Sequence, residues 1–135
     1  MKKLAILFLL IMWVSAFAGS ERLVGTWKSN KDATLAYLKI HTSLTAAELD
    51  RASHALGKLT FTFDKANVTM ESGAWKFVSA YKIVSETKNA ITIESQDPGT
   101  KKPTQTVLEL DRTGFWTPDN RIPGYKERFD KLVRK

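Results

Sequence analysis

The chain has 135 residues, and 21 Lys and Arg residues against 14 Asp and Glu residues give it a formal net charge of +7. This length suits one domain with a single hydrophobic core and is too short for two. The sequence has no cysteine, which excludes disulfide bonds and thiolate metal sites. Its 4 Trp, 7 Phe and 3 Tyr residues must therefore supply much of the stabilising burial.

Residues 1–18 have the pattern of a secretory signal peptide. Lys2 and Lys3 form a basic start, an apolar run follows from Leu4 to Val14, and Ala16-Phe17-Ala18 fits the A-x-A cleavage motif. The apolar run is shorter than the roughly 20 residues that a transmembrane helix needs. The sequence therefore predicts an exported bacterial protein, periplasmic or secreted into the medium, with no transmembrane anchor after cleavage.

The predicted mature domain spans residues 19–135 and has a net charge of +5, because two of the 21 cationic residues leave with the leader. Its positive charge is spread along the chain except for a basic C-terminal segment. No aromatic and basic stripe or reader motif accompanies that segment, so we expect solvated surface there and no nucleic-acid partner.

A helical segment follows the first predicted strand, which covers residues 23–28. Asp32 is placed to cap a short first helix. Thr45 and Glu48 have the spacing of a capping box, which predicts the start of a second helix. Gly57 is expected to end it, because glycine readily adopts the left-handed conformation that stops a helix.

After Gly57 the apolar residues recur with the period of a strand. Leu59-Thr60-Phe61-Thr62-Phe63 alternates apolar and polar residues, and turn residues separate it from the later runs. Those runs lie near residues 68–71, 75–85, 91–94, 107–110, 115–117 and 124–132. With the first strand they make about eight strands, enough to close a small barrel that is either filled or holds one ligand. The predicted fold is mainly β, an antiparallel up-and-down barrel with two helices inserted between strands 1 and 2.

The opening of the mature chain carries a recognisable motif, formed by Gly25, Thr26, Trp27 and Lys28. It resembles the G-x-W signature of lipocalins and the V-G-T-W-K opening of fatty-acid-binding proteins, two families of calycin barrels. The chain is also similar to small bacterial secreted lipocalin-like domains. In fatty-acid-binding proteins a helical pair follows strand 1 and covers the barrel mouth, which the resemblance implies here as well. The Arg-x-Tyr pair that holds the ligand carboxylate in that family is not reproduced in residues 125–129.

The resemblance implies a structural role for the motif. Trp27 would plug one end of the barrel beneath a cation from the last strand. Arg128 is the expected cation, with Lys126 and Lys131 as alternatives. Such a cation–π pair contributes about 0.5–2 kcal/mol, depending on how far it is removed from water.

An aromatic set on the predicted strands marks the candidate ligand site. Ligand sites combine apolar walls with a few polar anchors, and Tyr81, Trp116 and Arg128 are the expected anchors. The residues expected to face inward and bind a ligand are Phe61, Phe63, Trp75, Phe77, Tyr81, Trp116 and Arg128. The same aromatic side chains could instead fill a solid core.

The sequence offers little that points to catalysis. His41 and His54 have no ligand-spaced partners, so no metal and no cofactor is expected. Glu71, Glu94 and Glu109 fall on the polar faces of strands, where we expect them to be solvated. The sequence therefore predicts a non-enzymatic binding protein for a small apolar or amphipathic ligand. The alternative is a protein-binding envelope accessory factor or inhibitor with a solid barrel.

Cleavage after Ala18 should give a mature protein that begins Gly19-Ser20-Glu21, because the A-x-A motif ends at Ala18. Intact-mass spectrometry of protein recovered outside the cytoplasm checks this. Exported protein that retains Met1 would contradict it.

Overall fold

The computed structural model describes residues 20–119 and 121–133, so the predicted leader lies outside the described residues. Eight antiparallel strands form a closed barrel, as predicted. The strands are β1 (Gly25–Ser29), β2 (Thr60–Phe63), β3 (Asn67–Ser72), β4 (Trp75–Glu86), β5 (Ala90–Gln96), β6 (Pro103–Leu110), β7 (Gly114–Pro118) and β8 (Lys126–Lys131). Two helices, α1 (Lys31–His41) and α2 (Ala46–Ala55), connect β1 to β2, and a single 3-10 turn at Ser20–Arg22 precedes β1.

The barrel closes because the last strand pairs with the first. Trp27 on β1 lies opposite Lys131 on β8 and opposite Phe61 on β2. The amide of Leu132 also donates to the carbonyl of Thr26 at 2.8 Å. Each strand therefore has a neighbour on both sides, and closure removes the exposed edges through which sheets aggregate.

The two ends of the barrel differ in what covers them. The end with the β2–β3, β4–β5 and β6–β7 turns is called the closed end here. The opposite, open end carries both helices and the β3–β4, β5–β6 and β7–β8 connections. The main buried core occupies the closed end and the middle of the barrel. Its members are Leu23, Trp27, Phe63, Val68, Ile91, Ile93, Leu108, Phe115 and Phe129.

Trp27 is buried as expected, with only 3% of its surface exposed. Its indole N–H donates to the Leu23 carbonyl at 2.9 Å, and its ring centroid lies 5.0 Å from that of Phe115. The expectation that Arg128 stacks on it is wrong. Lys131 does so, with its Nζ 5.2 Å from the centre of the ring, because the β1–β8 register places Lys131 directly opposite Trp27. Arg128 is an odd number of residues away and therefore faces the other side of the sheet.

Gly25 makes room for this lysine. Its φ of +141° is rarely adopted by other residues, and a Cβ atom there would lie only 3.0 Å from Cε of Lys131. The glycine of the motif and the lysine of the last strand are thus parts of one packing arrangement.

The helix starts are set by side-chain caps. Asn30, rather than the expected Asp32, caps α1 by accepting a hydrogen bond from the Ala33 amide at 3.0 Å, because β1 continues as far as Ser29. The predicted N-cap of α2 is confirmed, since the Thr45 hydroxyl accepts from the Glu48 amide at 3.2 Å. The Glu48 carboxylate accepts from the Thr45 hydroxyl at 3.0 Å and not from the Thr45 amide, so the second bond of the capping box is replaced.

The resemblance implied that the helical pair lies across the barrel mouth, but neither helix contributes a residue to the cavity lining. Instead, α1 packs beside β8 where β1 ends, and the Arg128 amide donates to the Thr34 hydroxyl at 3.0 Å. Thr34 and Leu38 are fully buried in this contact region. Among the described residues, no helix is long and apolar enough to cross a membrane.

Replacing Trp27 with alanine should lower the free energy of unfolding by about 3–5 kcal/mol, because it removes a large buried ring and leaves a cavity. Urea unfolding of Trp27→Ala measures this. Trp75→Ala is the matched control, because 46% of Trp75 is exposed and its loss should cost far less. Equal urea midpoints for Trp27→Ala and the unmodified protein would contradict the claim that buried Trp27 stabilises the barrel.

Candidate functional site

The open half of the barrel contains a cavity of about 240 Å³. It forms because the inward side chains become smaller toward the open end: Phe115 is followed by Thr117 on β7, and Leu108 is preceded by Thr106 on β6. The cavity therefore begins where the aromatic core stops.

One wall and the floor of the cavity are apolar. The residues concerned are Phe61, Phe63, Val68, Met70, Ile93 and Leu108. Phe61 is fixed from behind by Phe129, with ring centroids 4.8 Å apart. Two of the predicted site residues, Phe61 and Phe63, thus line the cavity.

The facing wall, on β5, β6 and β7, carries hydroxyl groups. Its members are Ser95, Thr104, Thr106 and Thr117. Ser95 lies directly opposite Thr104 in the β5–β6 ladder, and Ile93 lies opposite Thr106. Over residues 20–119 and 121–133, none of these four side chains makes a hydrogen bond to another protein group, although Ser95 is only 7% exposed. A hydroxyl group can both donate and accept, so this wall has unused capacity to bind a polar group.

Asp97 and Pro98, in the β5–β6 turn, contribute to the rim of the cavity. One carboxylate oxygen of Asp97 accepts hydrogen bonds from the amides of Gly99 at 2.8 Å and Thr100 at 2.9 Å. The Thr100 bond and then the Gly99 bond lower the pKa of Asp97, and Asp97 therefore stays ionised at neutral pH. The rim accordingly carries a fixed negative charge.

Trp75 and Phe77 lie on the β3–β4 hairpin, outside the cavity lining. Phe77 is opposite Met70 and shares its inward face, but pairing of β4 with β5 begins only at Tyr81. The first half of β4 thus projects from the barrel on β3 alone. Trp75 is 46% exposed there, and Lys101 from the β5–β6 turn places its Nζ 4.2 Å above the ring of Phe77.

Tyr81 packs against the core but uses its hydroxyl locally. Its ring meets that of Phe63 edge to face at 5.3 Å, and its hydroxyl donates to the Asp64 carbonyl at 2.7 Å. Burial, followed by the charge of Asp64, raises the pKa of Tyr81. The hydroxyl is therefore held at the β2–β3 turn, not directed into the cavity.

The expectation that Trp116 and Arg128 face inward is wrong. Phe115 is fully buried inside the barrel, so Trp116 beside it faces outward, where it contacts Tyr37 of α1 at a centroid distance of 4.9 Å. Arg128 pairs with Trp116 on this outer face, and its guanidinium carbon lies 5.5 Å from the centre of the indole ring. The prediction placed Trp116 on the inward face, whereas the alternation of β7 places Phe115 and Thr117 there.

Arg128 holds the β6–β7 turn. Only 6% exposed, it donates to Asp111 at 2.5 and 2.9 Å, to Thr113 at 2.8 Å and to Asp130 at 3.0 Å. A Cβ atom at Gly114 would lie 2.1 Å from the Phe129 carbonyl oxygen and 2.8 Å from Nη2 of Arg128, so only glycine fits beneath the guanidinium. The role of Arg128 is structural.

The remaining polar candidates lie away from the cavity. Glu71, Glu94 and Glu109 are on the outer face, as predicted, and Glu94 and Glu109 form ion pairs with Lys82 and Lys126. His41 stacks on Tyr37, and exposed His54 lies 3.8 Å from Asp50. In the described part of the chain, no group of three or more His, Asp or Glu side chains could hold a metal ion.

Sequence reasoning missed the hydroxyl wall. It predicted a strand from Val107, whereas β6 begins at Pro103 and includes Thr104 and Thr106. The signal was present in the alternation Thr104, Thr106, Leu108, Leu110, but the predicted strand began at Val107 and did not include the two threonines. In a partly hollow barrel, an inward position can be polar.

Comparison of the chain with known protein families, curated proteins and solved structures found no match. The barrel topology is compatible with a calycin-like fold. The class that the fold and site define is a closed, eight-stranded antiparallel barrel with an amphipathic internal cavity.

Asp111→Asn should make stability less sensitive to acid. Hydrogen bonding to Arg128, and then to backbone amides, lowers the pKa of Asp111. The ionised carboxylate therefore stabilises the folded state above the unfolded-state pKa of about 4, and this stabilisation is lost as the pH falls from there toward the folded-state pKa. Asparagine keeps an oxygen for the Thr113 and Gly114 amides but loses the charge. Because 51% of the Asp111 side chain is exposed, we expect a difference of only about 1 kcal/mol at neutral pH.

Urea unfolding of both proteins between about pH 7 and pH 3 measures this effect, and the difference should shrink on acidification. Asp64→Asn is the matched control, because Asp64 caps a similar turn through the Ala66 and Asn67 amides without an arginine partner among the described residues. Those amides also lower the pKa of Asp64, so this control should show only the part of the effect that does not depend on Arg128. If the difference in unfolding free energy between the unmodified protein and Asp111→Asn stays constant with pH, Asp111 does not stabilise the fold through its charge.

Proposed function

We propose that the protein is a non-enzymatic binding protein that holds one small amphipathic molecule in the open half of its barrel. The observation that carries this proposal is the division of the cavity surface into an apolar wall and a hydroxyl wall. The hydroxyl groups of Ser95, Thr104, Thr106 and Thr117 lack protein partners in the described chain. No fully buried side-chain oxygen of the described residues lacks a hydrogen-bond partner, so these four oxygens are accessible from the cavity, where they can bind the polar group of a ligand or water.

The cavity volume limits the size of the ligand. At about 240 Å³ it is slightly smaller than the 300–1,000 Å³ of drug-sized sites, which favours a molecule of roughly ten non-hydrogen atoms. A long-chain fatty acid would have to leave part of its chain outside. The lining hydroxyls and apolar groups suit binding and orientation, and we propose binding without catalysis.

Two further features support an exported, calycin-like protein. Gly25, Trp27 and Lys131 form a glycine–tryptophan–cation arrangement at the start and end of the barrel, in keeping with the motif that resembles lipocalins and fatty-acid-binding proteins. Residues 1–18 have the signal-peptide pattern. We propose that the chain is a lipocalin-like member of the calycins that acts in the periplasm or the medium.

A second candidate function is protein binding, favoured by the projecting β3–β4 hairpin. Trp75 is 46% exposed on one face of this hairpin and Val78 is 52% exposed on the other. Exposed apolar groups on a projecting element are typical of contact surfaces. The cavity is nevertheless the stronger support, because it explains why interior positions carry hydroxyl groups.

Filling the cavity should abolish ligand binding. Thr106→Phe places a ring in the empty space, so affinity for 1-octanol should fall by at least about tenfold while the protein stays folded. Isothermal titration calorimetry with 1-octanol measures the affinity, and thermal unfolding checks the fold.

Thr92→Phe is the matched control. Thr92 lies on the outer face of β5, between buried Ile91 and Ile93, so the same substitution there should leave binding intact. If the unmodified protein gives no saturable heat with 1-octanol, or if Thr106→Phe binds it normally, the cavity is not the binding site.

A further inference from the structure

We infer that the cavity selects a ligand whose polar end is uncharged and rejects a carboxylate of the same chain length. This inference rests on the proposed function and names its ligand class. It concerns the head group of the ligand, whereas the proposed function concerns only the presence of an amphipathic site.

The orientation of a bound molecule follows from the depth of the lining groups. Leu108 is deeper than Thr106, and Thr106 is deeper than Thr104, because they follow one another along β6 from the closed end to the open end. On β7, Phe115 is deep and Thr117 is near the opening. An apolar tail therefore fits against the floor, and a polar head fits beside Thr104 and Thr117.

The groups that would receive this head are neutral. Among the lining residues described, Ser95, Thr104, Thr106 and Thr117 are uncharged and none is a lysine or arginine. These hydroxyls can donate to and accept from an alcohol, amide or carbonyl group. A carboxylate placed here would be partly desolvated without a cationic partner, which is costly.

The ionisable group at the rim adds repulsion. Asp97 lines the cavity on the same side as the hydroxyl wall, and the amides of Gly99 and Thr100 keep it in its charged form. A ligand carboxylate at the level of Thr104 would meet a like charge. Arg121 lies near enough to stabilise the charge of Asp97, which reduces both its attraction for an ammonium head group and its repulsion of a carboxylate. The absence of a lysine or arginine from the described cavity lining is therefore the main factor against a carboxylate.

The cations near these elements lie outside the cavity lining, including exposed Lys102 beside Pro103. Lys101 lies over Phe77, and Arg121 pairs with Asp119 at 2.6 Å. Within the barrel wall, Arg128 faces outward onto Asp111, and Lys131 covers Trp27 toward the closed end. None of these five cations belongs to the cavity lining.

The test compares 1-octanol with octanoate by isothermal titration calorimetry of the mature protein at neutral pH. We expect octanoate to bind at least about tenfold more weakly than 1-octanol, because its charge finds no partner. Lowering the pH below the pKa of octanoic acid should restore much of its affinity, because the acid is then neutral. Octanoate affinity equal to or higher than that of 1-octanol at neutral pH would overturn the inference and leave the proposed function standing. Binding of neither molecule would overturn both.

Two variants separate the contributions of the rim and the wall. Asp97→Asn retains an oxygen for the turn amides and should reduce the preference for 1-octanol over octanoate by about threefold, since the like charge is removed. Asp64→Asn, in the equivalent turn at the closed end, should leave the preference unchanged. Thr104→Val should weaken 1-octanol binding, because it removes a hydroxyl beside the proposed head group, whereas Thr92→Val should not. If Asp97→Asn and Thr104→Val both behave like their controls, the head group does not lie where the inference places it.

Discussion

The pairing of β8 with β1 is the constraint on which the rest of the structure depends. It brings Lys131 opposite Trp27 and so closes the barrel over a buried indole. The same register places Phe129 inside and Arg128 outside, where Arg128 fixes the β6–β7 turn through Asp111. Without this pairing, the first and last strands would be free edges and the aromatic core would be open on one side.

The size of the inward side chains determines where a cavity remains inside the closed barrel. The aromatic residues fill the closed half, and the small hydroxyl residues of β5, β6 and β7 leave the open half hollow. Hydrophobic burial therefore stabilises one half of the interior, and the other half is available for a ligand. This division allows a cysteine-free domain of modest size to have both a stable core and an internal cavity.

Much of the fold could be predicted from sequence, but only part of the site could. The period-two runs after Gly57 and the capping box at Thr45 identified the barrel and the second helix correctly, because both patterns depend on local geometry. The inward placement of Trp116 failed because the packing of α1 on the outer wall creates a buried environment that alternation cannot reveal. The hydroxyls of Thr104 and Thr106 were missed because the predicted strand began at Val107, three residues after Thr104.

The central claim is that a small amphipathic molecule lies within the open half of the barrel. The most direct measurement is the NMR detection of magnetisation transfer between the alkyl chain of 1-octanol and the methyl groups of the protein. Transfer to Met70, Ile93 and Leu108, which line the cavity, is the predicted result. Transfer confined to Val78 and Val84, which are exposed on the outer face of β4, would contradict it.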